Sequence, residues 1–160
     1  MKSSPASLRL TAPGLVLTFV LTLTAGCSSV QLIAPYDDQL DKQVTALQTA
    51  TETFLVKIER EGLSSADDYK KNYTAFYDDE KVAISGLAVR ASAIALNSQT
   101  AGEIKNLKDT IDQMEKRHQE SGLSKMDAAQ FEESLDRIFR AILTLELAKK
   151  GATSTGSGNK

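Results

Sequence analysis

Residues 38–67 read DQLDKQVTALQTATETFLVKIEREGLSSAD, and this stretch contains the pattern that decides the fold. A stripe of side chains recurs at alternating intervals of four and three residues, and all but Thr51 are apolar. It consists of Leu40, Val44, Leu47, Thr51, Phe54 and Ile58. That spacing lies on one face of an α-helix, which we predict over 38–61, with Asp37 or Asp38 as the cap of its first turn. Gly62 and Leu63 then match a glycine-ended helix C-terminus, and a second helix follows. A helix, a short turn and a helix predict an antiparallel hairpin.

Three further helices are predicted from the same spacing of apolar side chains. They span 65–97, 101–121 and 125–149. Each starts at a capping box, in which a Ser or Thr and an acid three residues later bind the first turn. The last two helices have Thr100 with Glu103 and Ser124 with Asp127. Two overlapping boxes fit the start of the first of these helices, and the sequence leaves both open: Ser64 with Asp67, or Ser65 with Asp68.

The helix over 65–97 has two features of its own. Residues 82–96 contain one charged side chain, Arg90, and many small ones, which predicts a half-helix buried against a close neighbour. Tyrosines spaced by four residues form a row that is a candidate interaction surface: Tyr69, Tyr73 and Tyr77. The same spacing fits the edge of a core with hydroxyls in water, which we favour. The acids that follow the row are predicted to lie on a solvated face.

The turn after the first helix is repeated along the chain. Residues 61–67 and 121–127 share the pattern Gly-Leu-Ser-x-x-Asp at an offset of 60. The same offset brings the apolar stripe of helix 38–61 onto that of helix 101–121, but helix 65–97 does not match helix 125–149. A decayed duplication of a hairpin explains half of this pattern. The alternative is that one favourable turn sequence is used twice without a duplication. We favour this alternative, because the second half of the repeat does not match.

The sequence therefore predicts an all-α fold. Four amphipathic helices would form an up-and-down four-helix bundle, or a pair of antiparallel hairpins, over residues 37–150. All three prolines lie before residue 36, so none interrupts a helix. Residues 151–160 are rich in Gly, Ser and Thr and predict a flexible, disordered tail.

The N-terminal residues predict a targeting signal that is not part of the folded domain. Lys2 and Arg9 are the only charged side chains before Asp37, and residues 10–24 are uncharged and mostly apolar. The apolar core is shorter than the ~20 residues that a membrane-spanning helix needs. This order of positive charge, short apolar core and small residues is typical of a secretory signal peptide.

The end of that segment, Leu23-Thr-Ala-Gly-Cys27, resembles the lipobox of bacterial lipoproteins. The resemblance implies that residues 1–26 are a cleaved signal peptide and that Cys27 carries lipid. The chain departs from the family at Thr24, where a branched aliphatic residue is favoured. Residues 27–36 would then form a lipidated tether that keeps the domain near the bilayer.

The residue after Cys27 indicates which membrane of the envelope would hold the lipoprotein. In Gram-negative lipoproteins an Asp at that position commonly retains the protein at the inner membrane, and this chain has Ser28. The resemblance therefore points to the outer membrane, facing the periplasm. Cleavage would remove Lys2 and Arg9, which leaves 17 basic against 21 acidic side chains and a net charge of -4.

Composition and motifs exclude several function classes. The near balance of charge gives no electrostatic basis for binding nucleic acid. One Cys rules out an internal disulfide or a Cys-rich zinc site. One His means that Glu115-x-x-His118 cannot supply both halves of a di-iron site, so we predict a partly exposed His near a helix end. Nucleophile-elbow and phosphate-loop motifs are missing from the sequence, and we expect no enzyme, metal or cofactor.

These features predict a membrane-anchored lipoprotein of the bacterial envelope with a non-enzymatic helical domain for protein interaction. Its expected partners are the membrane, through lipid on Cys27, and an envelope protein that the sequence does not identify. The alternative is a helical bundle that holds a small apolar or metal ligand between its helices. The small Ala and Ser residues of helix 65–97 support that alternative.

Overall fold

The computed structural model describes residues 33–156, with the side chains of 33–152. The predicted signal peptide and Cys27 lie outside that part of the chain. In order, the elements are α1 (Asp38–Glu61), β1 (Leu63–Ser64), α2 (Ala66–Asp68), a π-helical turn (Tyr69–Tyr73), α3 (Thr74–Ala93), α4 (Ser98–Ser121), β2 (Leu123–Ser124) and α5 (Lys125–Gly156). Together, α2, the π-helical turn and α3 occupy the place of the second predicted helix.

The helices pack as an all-α four-helix bundle, which confirms the predicted fold class. α1 packs against α5 and α3, and α4 packs against α3 and α5, so each long helix contacts its neighbours in the chain and the ring closes between α1 and α5. The predicted stripe of α1 lies in the core, with Leu40, Val44 and Ile58 fully buried. Among the described helices, none is long and apolar enough to cross a bilayer.

The two repeated turns meet at one end of the bundle. Leu63 pairs with Ser124 and Ser64 with Leu123, so β1 and β2 form a two-stranded antiparallel ladder. The glycine before each strand has a positive φ, 87° at Gly62 and 81° at Gly122. That region is one that glycine enters without steric cost, and it lets the chain leave each helix sharply. Each repeat therefore ends one helix and pairs with its own counterpart.

Helix caps follow the sequence prediction in three cases. Asp37 caps α1 by accepting hydrogen bonds from the N–H groups of Gln39 and Leu40. Of the two alternative capping boxes before α2, the structure contains the one formed by Ser65 and Asp68. At α5 the box is Ser124 with Asp127. The box predicted at Thr100 is wrong: α4 begins at Ser98, and the Thr100 hydroxyl donates to Glu146 of α5 instead.

Two helix ends differ from the prediction. α3 ends at Ala93 rather than 97, because the chain turns through Leu96 at a φ of 63°. α5 continues to Gly156, six residues into the stretch predicted as a disordered tail. Extending an existing helix costs far less than nucleating one, and no proline stops α5. Residues 157–160 lie outside the described part.

Candidate functional site

The outward side of α3 carries an exposed apolar stripe. We call Val82, Gly86, Val89 and Ala93 the outer face of α3; Val82 is 73% exposed and Val89 68%. Residues 82–96 were predicted to be buried, and this is wrong for most of them. Within this range only Ile84, Leu87 and Ala91 are buried. The helix is apolar on two sides, and only one of them faces the core. Contiguous exposed apolar surface is typical of an interaction site.

A groove runs beside the outer face, between α1 and α3. Its volume is about 460 Å³, and small or uncharged side chains line most of it: Gln43, Ala46, Leu47 and Ala50 of α1, with Val82, Ala83 and Gly86 of α3. Because the distance between packed helices depends on side-chain size at the contact, Ala and Gly let another helix approach closely. The groove and the outer face together form a surface with the shape and polarity to receive a helix.

A buried acid closes one end of this groove. Glu80 is 3% exposed, and its Oε2 accepts a hydrogen bond of 3.0 Å from the Thr51 hydroxyl of α1. Burial raises the pKa of Glu80 from 4.5 to about 7. The prediction of a solvated acid is wrong at this position. The spacing of Tyr73, Tyr77, Glu80, Ile84, Leu87 and Ala91 by four and three residues contained the signal, with Glu80 in the place of an apolar residue.

The raised pKa of Glu80 predicts a stability that falls as pH rises. The native state keeps a proton on Glu80 that the unfolded chain loses above about 4.5, so this contribution is present at acid pH and is lost as pH rises through about 7. Glu80→Gln, which imitates the protonated acid, is therefore expected to stabilise the protein by about 2 to 3 kcal/mol at alkaline pH and hardly at all at acid pH. Urea denaturation across this pH range measures the difference.

Glu52 of α1 supplies the control for that experiment. Its side chain is exposed and accepts a hydrogen bond of 2.8 Å from Gln48, so Glu52→Gln removes a carboxylate without changing the core. We expect this variant to follow the wild-type pH profile. A Glu80→Gln gain that is the same at every pH would contradict the assignment of the proton to Glu80.

The tyrosine row and His118 form one buried cluster at the β1–β2 end. Tyr77 and His118 are fully buried and Tyr73 is 6% exposed, so two of the three tyrosines cannot present a docking surface. The Tyr77 hydroxyl lies 3.1 Å from His118 Nδ1, and the Ser64 hydroxyl lies 2.8 Å from Nε2. The prediction of a partly exposed His is wrong, because these two hydroxyls satisfy both ring nitrogens inside the core.

The Ser64–His118 pair has the spacing of a nucleophile and its base, but it is closed to substrate. Ser64 is 2% exposed and His118 not at all, and the Phe54, Tyr69 and Tyr73 rings lie against the imidazole. Burial lowers the pKa of His118, which keeps the ring neutral at pH 7. The pair therefore fastens β1 to α4 rather than activating a hydroxyl.

Glu115, the other member of the Glu115-x-x-His118 motif, binds side chains other than His118. Its carboxylate accepts two hydrogen bonds from Lys81, at 2.8 and 2.9 Å, and one of 3.0 Å from Tyr69. Within residues 33–156 no group of three His, Cys, Asp or Glu side chains could hold a metal ion. The motif thus contributes an ion pair between α3 and α4.

A second buried polar cluster lies at the opposite end of the bundle. The ammonium of Lys149 binds Glu146, Asn97 and, at 2.8 Å, the Thr100 hydroxyl, and Glu146 is fully buried. Beside it Arg90 binds Asp37, and this contact holds the pKa of Asp37 below its usual value. These contacts join the start of α1, the end of α3, the start of α4 and the end of α5.

The small-residue positions that supported a ligand between the helices face outward. Ala83, Ser85, Ala88, Ser92 and Ala93 are exposed, whereas Ala91 is buried in the core. Every buried side-chain polar atom of the described residues has a hydrogen-bond partner. A surface cleft of about 410 Å³ between α1 and α5 has an apolar floor that includes Leu55 and Phe139, and an acidic mouth. Acids at a cleft alone do not define a ligand.

Comparison with known proteins returned nothing: no family model, no curated protein and no solved structure matches this chain. Its function must therefore be argued from its own residues.

Proposed function

We propose that this chain is a lipoprotein of the bacterial envelope, anchored through lipid on Cys27, whose helical domain binds a helix of another envelope protein. The observation that carries the second half is the exposed outer face of α3, with Val82 73% and Val89 68% exposed. The lipobox-like segment that ends at Cys27 supports the first half. The domain would act without chemistry of its own, at the outer membrane and facing the periplasm.

The surface favours a helix as the ligand. The groove between α1 and α3 is open to solvent and lined by Ala46, Ala50, Ala83 and Gly86. An amphipathic helix binds such a groove through apolar side chains on one face, at spacings of three and four residues. Asp79, an exposed acid, lines one end of the groove. A partner helix with a basic residue at that end fits the charge of the surface.

The binding half of the proposal is tested by cross-linking mass spectrometry on whole cells. Val82→Glu combined with Val89→Glu is expected to abolish the cross-links of α3 to a partner, because charge on the outer face must be desolvated on binding. The matched control is Val56→Glu on α1, which replaces a valine that is 54% exposed outside the groove. Both proteins should keep their stability within about 0.5 kcal/mol, since surface substitutions rarely exceed that.

Each result has a defined meaning. Loss of the partner cross-links in the α3 variant and their retention in the Val56→Glu control supports the proposal. Equal retention in both variants would place the partner elsewhere and overturn it. Cross-links between the α3 helices of two copies of the chain would identify the ligand of the outer face as α3 of a second copy, in place of a helix of another protein.

The anchoring half is tested separately. Cys27→Ala removes the only thiol of the chain, so the protein is expected to leave the membrane fraction and to lose the mass of its acyl chains. Membrane fractionation and intact mass measure the two effects. A wild-type protein whose mass shows an unmodified Cys27 would contradict the lipoprotein assignment.

A further inference from the structure

The N-terminus of the described chain and the second polar cluster lie at the same end of the bundle. Asp37, directly before α1, binds Arg90 of α3 through its carboxylate, and its backbone N–H donates to Glu146 of α5 at 3.4 Å. Thr100 of α4 donates to the same Glu146. We call this the tether end; β1 and β2 lie at the other end.

Apolar side chains stand exposed at the tether end. They are Ile33 at 45%, Leu96 at 61% and Leu147 at 60%. Leu96 lies in the turn between α3 and α4, Leu147 follows the buried Glu146, and Ile33 precedes α1. Each comes from a different part of the chain, so the tether end presents apolar groups at several points rather than along one helix.

Leu96 adopts a backbone conformation that costs free energy. Its φ of 63° is the only positive φ of a non-glycine residue in the described part of the chain. A bulky side chain in this region is strained, and strain of this kind persists where the surrounding structure fixes it, often at functional sites. The strain gains no packing in the core, because the leucine side chain is directed into solvent.

The length of chain outside the described part limits what can cover this end. Cys27 precedes Ile33 by six residues, which reach at most about 20 Å when extended. Ala34 is already buried against the domain, so the tether cannot gain length by peeling a long segment away from the bundle. A lipid on Cys27 therefore holds the tether end, and not the β1–β2 end, close to the bilayer surface.

Several charges at the tether end are held in ion pairs, while Asp41 and Lys150 contact the Tyr36 side chain. Asp37 binds Arg90, Asp38 binds Lys42 at 2.7 Å, and Glu146 binds Lys149. Bringing matched pairs near lipid headgroups costs less than bringing single charges there. This end therefore combines apolar side chains and locally neutralised charge.

We propose that the tether end rests on the bilayer, with Leu96, Ile33 and Leu147 inserted among the lipid headgroups. The inference rests on the proposed anchor at Cys27 and adds an orientation to it: the bundle stands on the membrane, and the outer face of α3 runs up its side, where a partner can reach it. A bundle that lay flat on α3 would instead bring Val82, about 16 Å from Ala93 along the helix, into the headgroups.

Single tryptophans test this orientation, because the chain contains none. Leu96→Trp, Leu63→Trp and Val82→Trp are made in the full-length chain and reconstituted in vesicles of phosphatidylethanolamine and phosphatidylglycerol, with or without brominated acyl chains. Leu63 is the matched control, since it is 60% exposed at the β1–β2 end. We expect a roughly two-fold loss of fluorescence for Leu96→Trp in brominated vesicles and no loss for Leu63→Trp, because interfacial groups lie ~5–10 Å deep.

The outcomes separate the inference from the anchor. Quenching of Val82→Trp as strong as that of Leu96→Trp shows a flat bundle and overturns the proposal, and so does the lack of quenching at Leu96→Trp. Intact mass reports whether Cys27 carries lipid. If it does not, the Cys27 thiol is coupled to maleimide-phosphatidylethanolamine and the same quenching is measured. Leu147→Trp gives a second reading if circular dichroism shows that Leu96→Trp fails to fold.

Discussion

Gly122→Ala is expected to lower the free energy of unfolding by about 3 kcal/mol or more, whereas Gly62→Ala should lower it by about 1 kcal/mol. The two glycines occupy equivalent positions in the repeated turn and share a positive φ. A Cβ at position 122 would lie 2.4 Å from the carbonyl oxygen of Ser64 and 3.0 Å from Cα of Ser65. A Cβ at position 62 would meet nothing within 4 Å.

Each glycine variant is the control for the other. The backbone cost is larger at Gly122, because its φ of 81° with a ψ of 174° lies in a region that is essentially open to glycine alone, whereas Gly62 has a ψ of -37°. The excess loss for Gly122→Ala therefore combines this backbone cost with the clash with β1. Urea denaturation of wild type and both variants measures it, with the midpoint and slope fitted together. Equal losses for Gly62→Ala and Gly122→Ala would show that the two turns do not pack as closely as the pairing of β1 with β2 requires.

The unequal crowding of Gly62 and Gly122 could not be predicted from the sequence, although the repeated turn could be recognised there. Residues 61–67 and 121–127 predict two similar turns from local information alone, and both glycines have a positive φ. Which of two identical turns is crowded depends on how they pack together. That contact joins residues 60 apart, and no local pattern records it.

The helices of the bundle were predictable because their information is local as well. The stripe from Leu40 to Ile58 needs only the period of the α-helix, and the caps at Asp37 and Ser124 need only the neighbouring residues. The fold class follows, since four such stripes in a chain without proline breaks have few ways to bury themselves.

The buried face of α3 does not continue the pattern that starts at Tyr69, and the π-helical turn gives the reason. A regular helix continued from Tyr69 places Phe76 and Ala83 toward the core. The turn over Tyr69–Tyr73 adds one residue, with the N–H of Thr74 bonded to the carbonyl of Tyr69. The buried face moves on by one residue, to Tyr77 and Ile84. The outer face of α3 was missed for the same reason.

Buried polar side chains were missed because long-range partners permit their burial. His118 is buried because Ser64 and Tyr77 satisfy its ring nitrogens, over sequence separations of 54 and 41 residues. Thr100 failed as a helix cap because Glu146 competes for its hydroxyl. A polar residue in an apolar stripe is ambiguous until its partner is known.

Glu146→Ala is expected to lower the free energy of unfolding by about 3 kcal/mol or more, because it breaks a buried ion pair. Glu146 is fully buried and Lys149 is 7% exposed, so the ammonium keeps its burial while the carboxylate opposite it is removed. The substitution also removes the acceptor for the Thr100 hydroxyl and for the backbone N–H of Asp37. Three elements of the tether end, α1, α4 and α5, would lose a common contact.

An exposed pair on the same helix provides the control. Asp136 and Arg140 are four residues apart on α5, with 42% and 72% of their side chains exposed. Asp136→Ala should cost no more than about 0.5 kcal/mol, because solvent screens such a pair. Glu146→Gln keeps an acceptor for Thr100, so its loss relative to Glu146→Ala separates charge from hydrogen bonding. Equal, small losses for Glu146→Ala and Asp136→Ala in urea denaturation would show that water reaches Glu146 and that the tether end is open in solution.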